Sequence, residues 1–146
     1  MQPRIDFYTA SPDALKAMIA LETAVSKLPL EKSLIELVKL RASQINGCAF
    51  CVDMHTADAR KSGETERRLY AVSVWRETPF FTDRERAALA WTESLTRVSE
   101  THAPDADYAL LSSQFSPSEQ VDLSLAIATI NSWNRLAVGF RKMPQA

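Results

Sequence analysis

Residues 36–55 read ELVKLRASQINGCAFCVDMH and carry both cysteines of the chain, Cys48 and Cys51, together with one of its two histidines, His55. With Leu34 just upstream, Leu37, Val38 and Ile45 recur at a helical period, and the spacing predicts a helix over 31–44 with these residues inward. Asn46-Gly47 is a strong helix breaker. It predicts a new helix that starts at the cysteines and runs to about Ser62, where Gly63 takes the position that favours a left-handed residue. A thioredoxin fold would need strands beside its Cys-x-x-Cys, and no window of the chain alternates apolar and polar residues as a half-buried strand does. The stretch therefore points to an all-α fold.

Working outward, the remaining sequence supplies helices on either side. Ser11-Pro12 is read as an N-cap followed by proline at the first helical position, opening a helix over about 12–27 that Pro29 closes. After Gly63 a helix is predicted over 65–76, ended by Thr78-Pro79 because a residue before proline is pushed out of the helical region. Thr82-Asp83-Arg84-Glu85 is a capping box that opens a helix to about Val98. Pro104 introduces a short helix over 105–113, and a second capping box, Ser116-Pro117-Ser118-Glu119, opens the longest helix over about 117–138. Val121, Leu123, Leu125, Ile127, Ile130, Trp133, Leu136 and Val138 cover more than one face of that helix, so it is expected in the centre of the domain or at a subunit interface. The reading is about seven helices, without repeats or low-complexity segments.

The chain has 146 residues, of which 46% are apolar and 24% charged, which suits one domain (1–146) with a single core. A formal net charge of -1 argues against a nucleic-acid binder. No apolar run is long enough to span a bilayer. The opening MQPRIDFYTASPDA has no apolar segment behind a charged one, so no signal peptide is expected. Two cysteines three apart do not make a secreted disulfide framework, and the expected compartment is the cytoplasm, where such a pair is catalytic, redox-sensing or metal-binding.

Helix positions three and four apart share a face, so Cys48, Cys51 and His55 should form one stripe. A neutral imidazole there could take a thiol proton, and the thiolate is the nucleophile. Two arguments choose different cysteines. The helix dipole favours Cys48 at the N-terminus, whereas the base favours Cys51, one turn from His55. Glu36 could orient His55 if the Asn46-Gly47 turn folds the two helices together. A zinc site would draw on Cys48, Cys51, His55 and Glu36, but all-protein zinc sites usually join two separated ligand clusters, so no metal is expected. Haem attachment requires histidine directly after the second cysteine, where Val52 stands. No G-x-G-x-x-G occurs, so no dinucleotide cofactor is expected.

At these residues the chain resembles the alkylhydroperoxidase D-like proteins of the carboxymuconolactone decarboxylase superfamily. The family pattern is glutamate, eleven residues, Cys-x-x-Cys, three residues and histidine, met here by Glu36, Cys48, Cys51 and His55. SQINGCAFCVDMH, Lys61-Ser62-Gly63-Glu64, ERAALAWTE and INSWNR extend the resemblance over about 12–139. It implies an all-helical fold that assembles into trimers or hexamers and acts as a thiol peroxidase. By the same resemblance Cys51 is the peroxidatic thiol, Cys48 the resolving thiol that closes a Cys48–Cys51 disulfide, and His55 with Glu36 the proton relay. A peroxide is the substrate and an external dithiol or reductant protein the partner. One departure stands out: the well-studied members carry a second histidine just before the second cysteine, where this chain has Phe50. The other class of function open to the same dithiol is an oligomeric redox sensor or small-molecule binding protein.

Other conspicuous residues read as structural. His102 falls in a polar loop, and Trp75, Trp91 and Trp133 fall among aliphatics at core spacing. Met18 reads as packing, and Met54, beside His55, as packing or the lining of a substrate channel. Asn131 and Asn134 lie on the apolar last helix and should need partners there. The charge runs Arg60-Lys61, Glu66-Arg67-Arg68 and Asp83-Arg84-Glu85-Arg86 read as solvated faces.

Overall fold

The computed structural model describes residues 1–144. Among them the chain forms α1 (Phe7–Ala10), α2 (Pro12–Val25), α3 (Lys32–Ile45), α4 (Ala49–Lys61) and α5 (Glu66–Ala71). A 3-10 helix (Val72–Glu77) follows, then α6 (Asp83–Thr96), α7 (Val98–Thr101), α8 (Asp105–Gln114) and α9 (Pro117–Phe140), with no strand among the described residues. The all-α reading holds, with more and shorter pieces than the seven expected. Helix α1 is held by Asp6, whose side chain accepts from the Tyr8 N–H, and a single turn of four residues shows no apolar period to read. The helix expected over 65–76 breaks after Ala71 and tightens into the 3-10 helix, with Val74 outside helical geometry (φ -124°, ψ 28°). Val72, Ser73 and Val74 are weak helix formers, and the break seats Trp75 so that its indole N–H donates to Glu93 at 2.9 Å. Both capping boxes form as read. Ser11 makes no side-chain cap, so α2 starts on Pro12 alone.

Helix α3 is the central element and packs against α4, α6 and α9. Its two apolar edges enter two different clusters. Leu34 and Val38 join Trp91, Leu111, Phe115, Leu123 and Ile127, while Leu37 and Leu40 join Ala59, Leu69, Val72, Trp75 and Leu89. Burial on both edges explains why a helix with Lys32, Glu36, Lys39 and Arg41 in it lies inside the domain. Helix α9 lays Leu123, Ile127 and Ile130 inward and leaves Val121, Leu125 and Val138 exposed.

Three helix ends close in one way. At α3, Gly47 is left-handed (φ 66°), the Gly47 N–H donates to Gln44 O and the Cys48 N–H to Ser43 O. This is the Schellman pattern, which uses otherwise unpaired carbonyls. The α4 end repeats it at Gly63 (φ 93°), with Gly63 bonded to Arg60 and Glu64 to Ala59. The α9 end repeats it with Arg141 (φ 55°) in the left-handed place, and the Lys142 N–H donates to Ala137 O at 2.9 Å.

The turn after α3 is docked on α9 by asparagines. The Asn46 amide donates to Asn131 Oδ1 and to Asn134 Oδ1, both at 2.9 Å, and Asn134 in turn donates to Ser43 Oγ at 3.1 Å. Asn131 also donates to Thr96 Oγ1 and Ile127 O. The partners that two buried asparagines require are thus supplied by the turn they hold.

The charge runs are corrected by the structure. Arg84 bonds Glu31, Glu119 and the Gln114 carbonyl, while Arg68 bonds Glu64, Glu85 and the Phe80 carbonyl. Arg86 donates to the carbonyls of Trp75, Thr78 and Arg76. These arginines are only partly exposed and tie loops to helix ends, whereas Arg60, paired with Glu66, does lie on a solvated face. Arginine's planar fork, with five donors, suits it to several acceptors at once.

Two predictions follow from this framework. Asn134→Ala removes two buried hydrogen bonds, leaving Asn46 only its bond to Asn131 and Ser43 only its bond to the Lys39 carbonyl, and should cost about 2–3 kcal/mol in urea unfolding. At Glu93, burial raises the carboxyl, but hydrogen bonds from Arg76, Trp75 and Arg41 outweigh it and hold the group below its ordinary value of 4.5. A depressed folded-state value stabilises the fold above about pH 4.5, and that contribution is lost as pH falls further. Glu93→Gln should therefore be less stable than the parent at pH 7, and the gap should shrink as unfolding is followed below that pH.

Candidate active site

Helix α4 starts at Cys48, whose backbone is extended (φ -84°, ψ 93°) and whose Sγ accepts from the Cys51 N–H at 3.3 Å. The sulfur takes the place usually filled by a serine or aspartate oxygen. Cys48 and Cys51 are joined as a disulfide, with Cα atoms 5.3 Å apart, and both are buried. Ala137 of α9 and the partly buried Phe50 pack against the pair.

One turn beyond Cys51, His55 is buried, and its Nδ1 lies 2.9 Å from Oε2 of Glu36 on α3. An ionised carboxylate only accepts, so in a neutral ring this bond puts the proton on Nδ1 and leaves the lone pair on Nε2. The condition set by the sequence, that the Asn46-Gly47 turn bring α3 and α4 together, is met.

A cavity of about 330 Å³ opens on this face. Cys51, His55 and Glu36 line it and Cys48 does not. The structure thus brings all four sequence-derived residues together but gives them unequal access. Phe7, Tyr8, Phe50, Met54, Ile130 and Trp133 supply an apolar wall, and Tyr8 stacks on Trp133 with ring centroids 6.3 Å apart. Burial, helped by the charge of Asp6, pushes the Tyr8 phenol up, so it meets the cavity as a neutral hydroxyl.

Met54 takes the channel-lining place considered for it, while Met18, half-buried, lies off the cavity. Trp133 corrects its core reading: it lines the cavity, and its indole N–H donates to Glu22 at 3.1 Å. Trp75 and Trp91 are core residues. His102 is exposed at the end of α7, away from the cavity.

Several lining residues escaped the sequence reading. Glu22 and Lys39 form an ion pair across α2 and α3. Their only signal was a glutamate within the apolar stripe of α2 and a lysine between Val38 and Leu40. Asp58 follows His55 at helical spacing, and its carboxylate, Glu36 and His55 offer ligand atoms all within 4.8 Å of one another. The zinc set weighed from sequence needs two thiolates, which the disulfide does not provide. Lys142 gave no signal, because it reaches the cavity only through the turn at Arg141.

The profile of the Carboxymuconolactone decarboxylase family matches residues 12–94. The uncharacterized protein YdfG of Bacillus subtilis (strain 168) is 41% identical over 138 residues, 94% of each chain. A crystal structure from Agrobacterium tumefaciens, described as a protein of unknown function assigned to antioxidant defence as AhpD, is 48% identical and matches at TM-score 0.98 over 99% of both chains. This chain belongs to the carboxymuconolactone decarboxylase family and has the alkylhydroperoxidase D-like fold. The apo structure of the debrominase Bmp8 shares the fold at TM-score 0.82 and 19% identity, over 94% of this chain and 74% of its own. One fold thus serves more than one reaction, and the residues of the cavity must carry the functional argument. Among the described residues no helix is long and apolar enough to cross a membrane.

The unequal access of the two sulfurs has a direct readout. After reduction, limiting iodoacetamide should alkylate Cys51 well before Cys48, as peptide mass spectrometry of a time course would show; equal labelling would contradict the cavity geometry.

Proposed function

We propose that this chain is a thiol peroxidase of the alkylhydroperoxidase D kind, with Cys51 as the attacking thiol. The observation that carries the reading is that Cys51 alone of the two cysteines faces the cavity, on one helix face with a His55 held by Glu36. The base argument and the access argument therefore agree on one sulfur. The helix start favours a negative charge at Cys48 instead, which suits the thiol that acts second.

In the proposed cycle His55 takes the Cys51 proton at Nε2, and Glu36 stabilises the imidazolium through Nδ1–H. The Cys51 thiolate attacks the outer peroxide oxygen, an S–O bond forms and the O–O bond breaks. The alkoxide leaves with the proton from His55 as an alcohol, or as water from hydrogen peroxide. Sulfur has lost two electrons and stands as a sulfenic acid. The Cys48 thiolate then attacks Cys51 Sγ, the S–S bond forms, and hydroxide leaves with the Cys48 proton as water. An external dithiol, free or carried by a reductant protein, reopens the disulfide by exchange and is itself oxidised. Phe50, in place of a second histidine, leaves His55 as the one imidazole on the cavity wall.

The cytoplasm and a trimeric or hexameric assembly belong to the same proposal. Support for assembly is that α9 leaves the apolar side chains Val121, Leu125 and Val138 exposed.

The test is single-turnover thiol loss after mixing reduced protein with an organic hydroperoxide. Two thiols per chain should be lost in the parent, none in Cys51→Ser, and one in Cys48→Ser, with a trapped sulfenic acid. His55→Gln should slow the reaction by about a hundredfold or more, the usual scale for a general base, with Glu36→Gln between it and the parent. Thiol loss no faster than that of free cysteine would end the peroxidase reading in favour of a sensor or binding protein.

A further inference from the structure

The cavity is built with opposite charges at its two ends. On α4, Phe50 and Asp58 are eight residues apart, about 12 Å along the axis, and Cys51 lies beside the Phe50 end. The far end holds Glu36, His55 and Asp58. At the near end Lys142 Nζ stands over three aromatic rings, 4.2 Å from the centroid of Tyr8, 4.4 Å from Phe50 and 5.5 Å from Phe7.

The two lysines of the wall are held differently. Lys39 is paired with Glu22. Among the described residues Lys142 is paired with no carboxylate and donates to no protein oxygen, since its neighbours are ring faces. Such faces attract an ammonium but leave its N–H groups to bond something else. Its place is set by three chain segments at once. The α9 terminal turn delivers the lysine, α4 supplies Phe50, and α1 supplies Phe7 and Tyr8. The N-terminal arm is fastened by Arg4, which bonds the carbonyls of Phe140 and Gly139.

We infer that Lys142 is an anion anchor, and that the cavity selects a small substrate with an apolar body and a carboxylate, the carboxylate on Lys142 and the reacting group on Cys51. The inference rests on the peroxidase reading only for the identity of that reacting group, a hydroperoxide. The polarity sets the orientation. A carboxylate at the far end would face Glu36 and Asp58, whereas at the near end it meets an ammonium with free donors. A monoanion suits the site better than a phosphate dianion, because Lys142 brings one charge while Glu22, Glu36 and Asp58 share the same walls. Tyr8, Phe50 and Trp133 line the cavity and give the body aromatic surface. A volume of about 330 Å³ is at the small end for ligand pockets and fits one ring or a short chain. The chemistry is the balanced step given above, with R bearing the carboxylate: thiolate and R–OOH give sulfenic acid and R–OH, and an external dithiol restores the thiols.

Binding and chemistry are tested separately. Oxidised full-length protein, which has no free thiol to react, is titrated calorimetrically with 3-phenylpropanoate and with its uncharged amide. The carboxylate should bind about tenfold or more tightly than the amide, the scale of a charge-assisted hydrogen bond. The preference should fall to about threefold or less in Lys142→Gln, remain in Lys142→Arg, and weaken as salt is raised. Equal affinity for the two probes, or a preference that survives in Lys142→Gln, would overturn the anchor. Reduced protein is then mixed with a para-carboxylated aryl hydroperoxide and its uncharged parent. Faster thiol loss with the carboxylated compound, dependent on Lys142, supports the full substrate assignment. A binding preference with no thiol loss from either compound would support the anchor and overturn the peroxidase reading alone.

Discussion

The arrangement depends on the three-residue link between α3 and α4, Asn46-Gly47-Cys48, with Ser43 of α3 behind it. Gly47 supplies a left-handed residue that others adopt at a cost, the Schellman bonds close α3, and α4 leaves in the reverse direction with Cys48 as its cap. Glu36 is ten residues before Asn46 and His55 nine after it, so the two stand about 15 and 14 Å from the turn at 1.5 Å per residue. In an antiparallel helix pair, equal distances from the turn mean adjacency. The 2.9 Å contact between Glu36 and His55 is the result.

A turn fixed only by its own bonds could still swing, and α9 prevents that. Asn131 and Asn134 bind Asn46, while Ala137, one turn further, packs on the disulfide. Trp133, on the same helix, forms part of the cavity wall, and the closing turn brings Lys142 to that wall over Phe50. One helix thus docks the dithiol, shapes the space before it and places a charge beside it. No buried side-chain nitrogen or oxygen among the described residues lacks a partner, so this polar interior is not left at the cost of desolvated groups.

The sulfurs differ for a related reason. Cys48 ends the turn and points its sulfur to the helix start, whereas Cys51 is one turn on, where α4 lines the cavity. Local electrostatics alone favours the first cysteine and local base placement the second, and only the shape of the surrounding helices separates them. Both arguments were visible in the sequence, and neither could be weighed there, because access to solvent or substrate is a property of what packs above the helix.

Short-range signals were legible along the chain: the all-α class, the capping boxes at Thr82 and Ser116, the glycine ends at Gly47 and Gly63, and the joint stripe of Cys51 and His55. These depend on φ preferences, proline and glycine chemistry and a 3.6-residue period, which act within a few residues. Glu36 entered as a residue that could orient His55 if the turn folded back, and family resemblance added its place in a proton relay. What only the tertiary structure decided were contacts between residues far apart in sequence. Glu22 reached Trp133, Arg84 reached Glu31 and Glu119, and Lys142 came to rest on Phe7, Tyr8 and Phe50. A charged residue has the same appearance in sequence whether it faces water, ties a loop or lines a cavity. Its role is set by which distant side chains arrive next to it, and that depends on the packing of all the helices together.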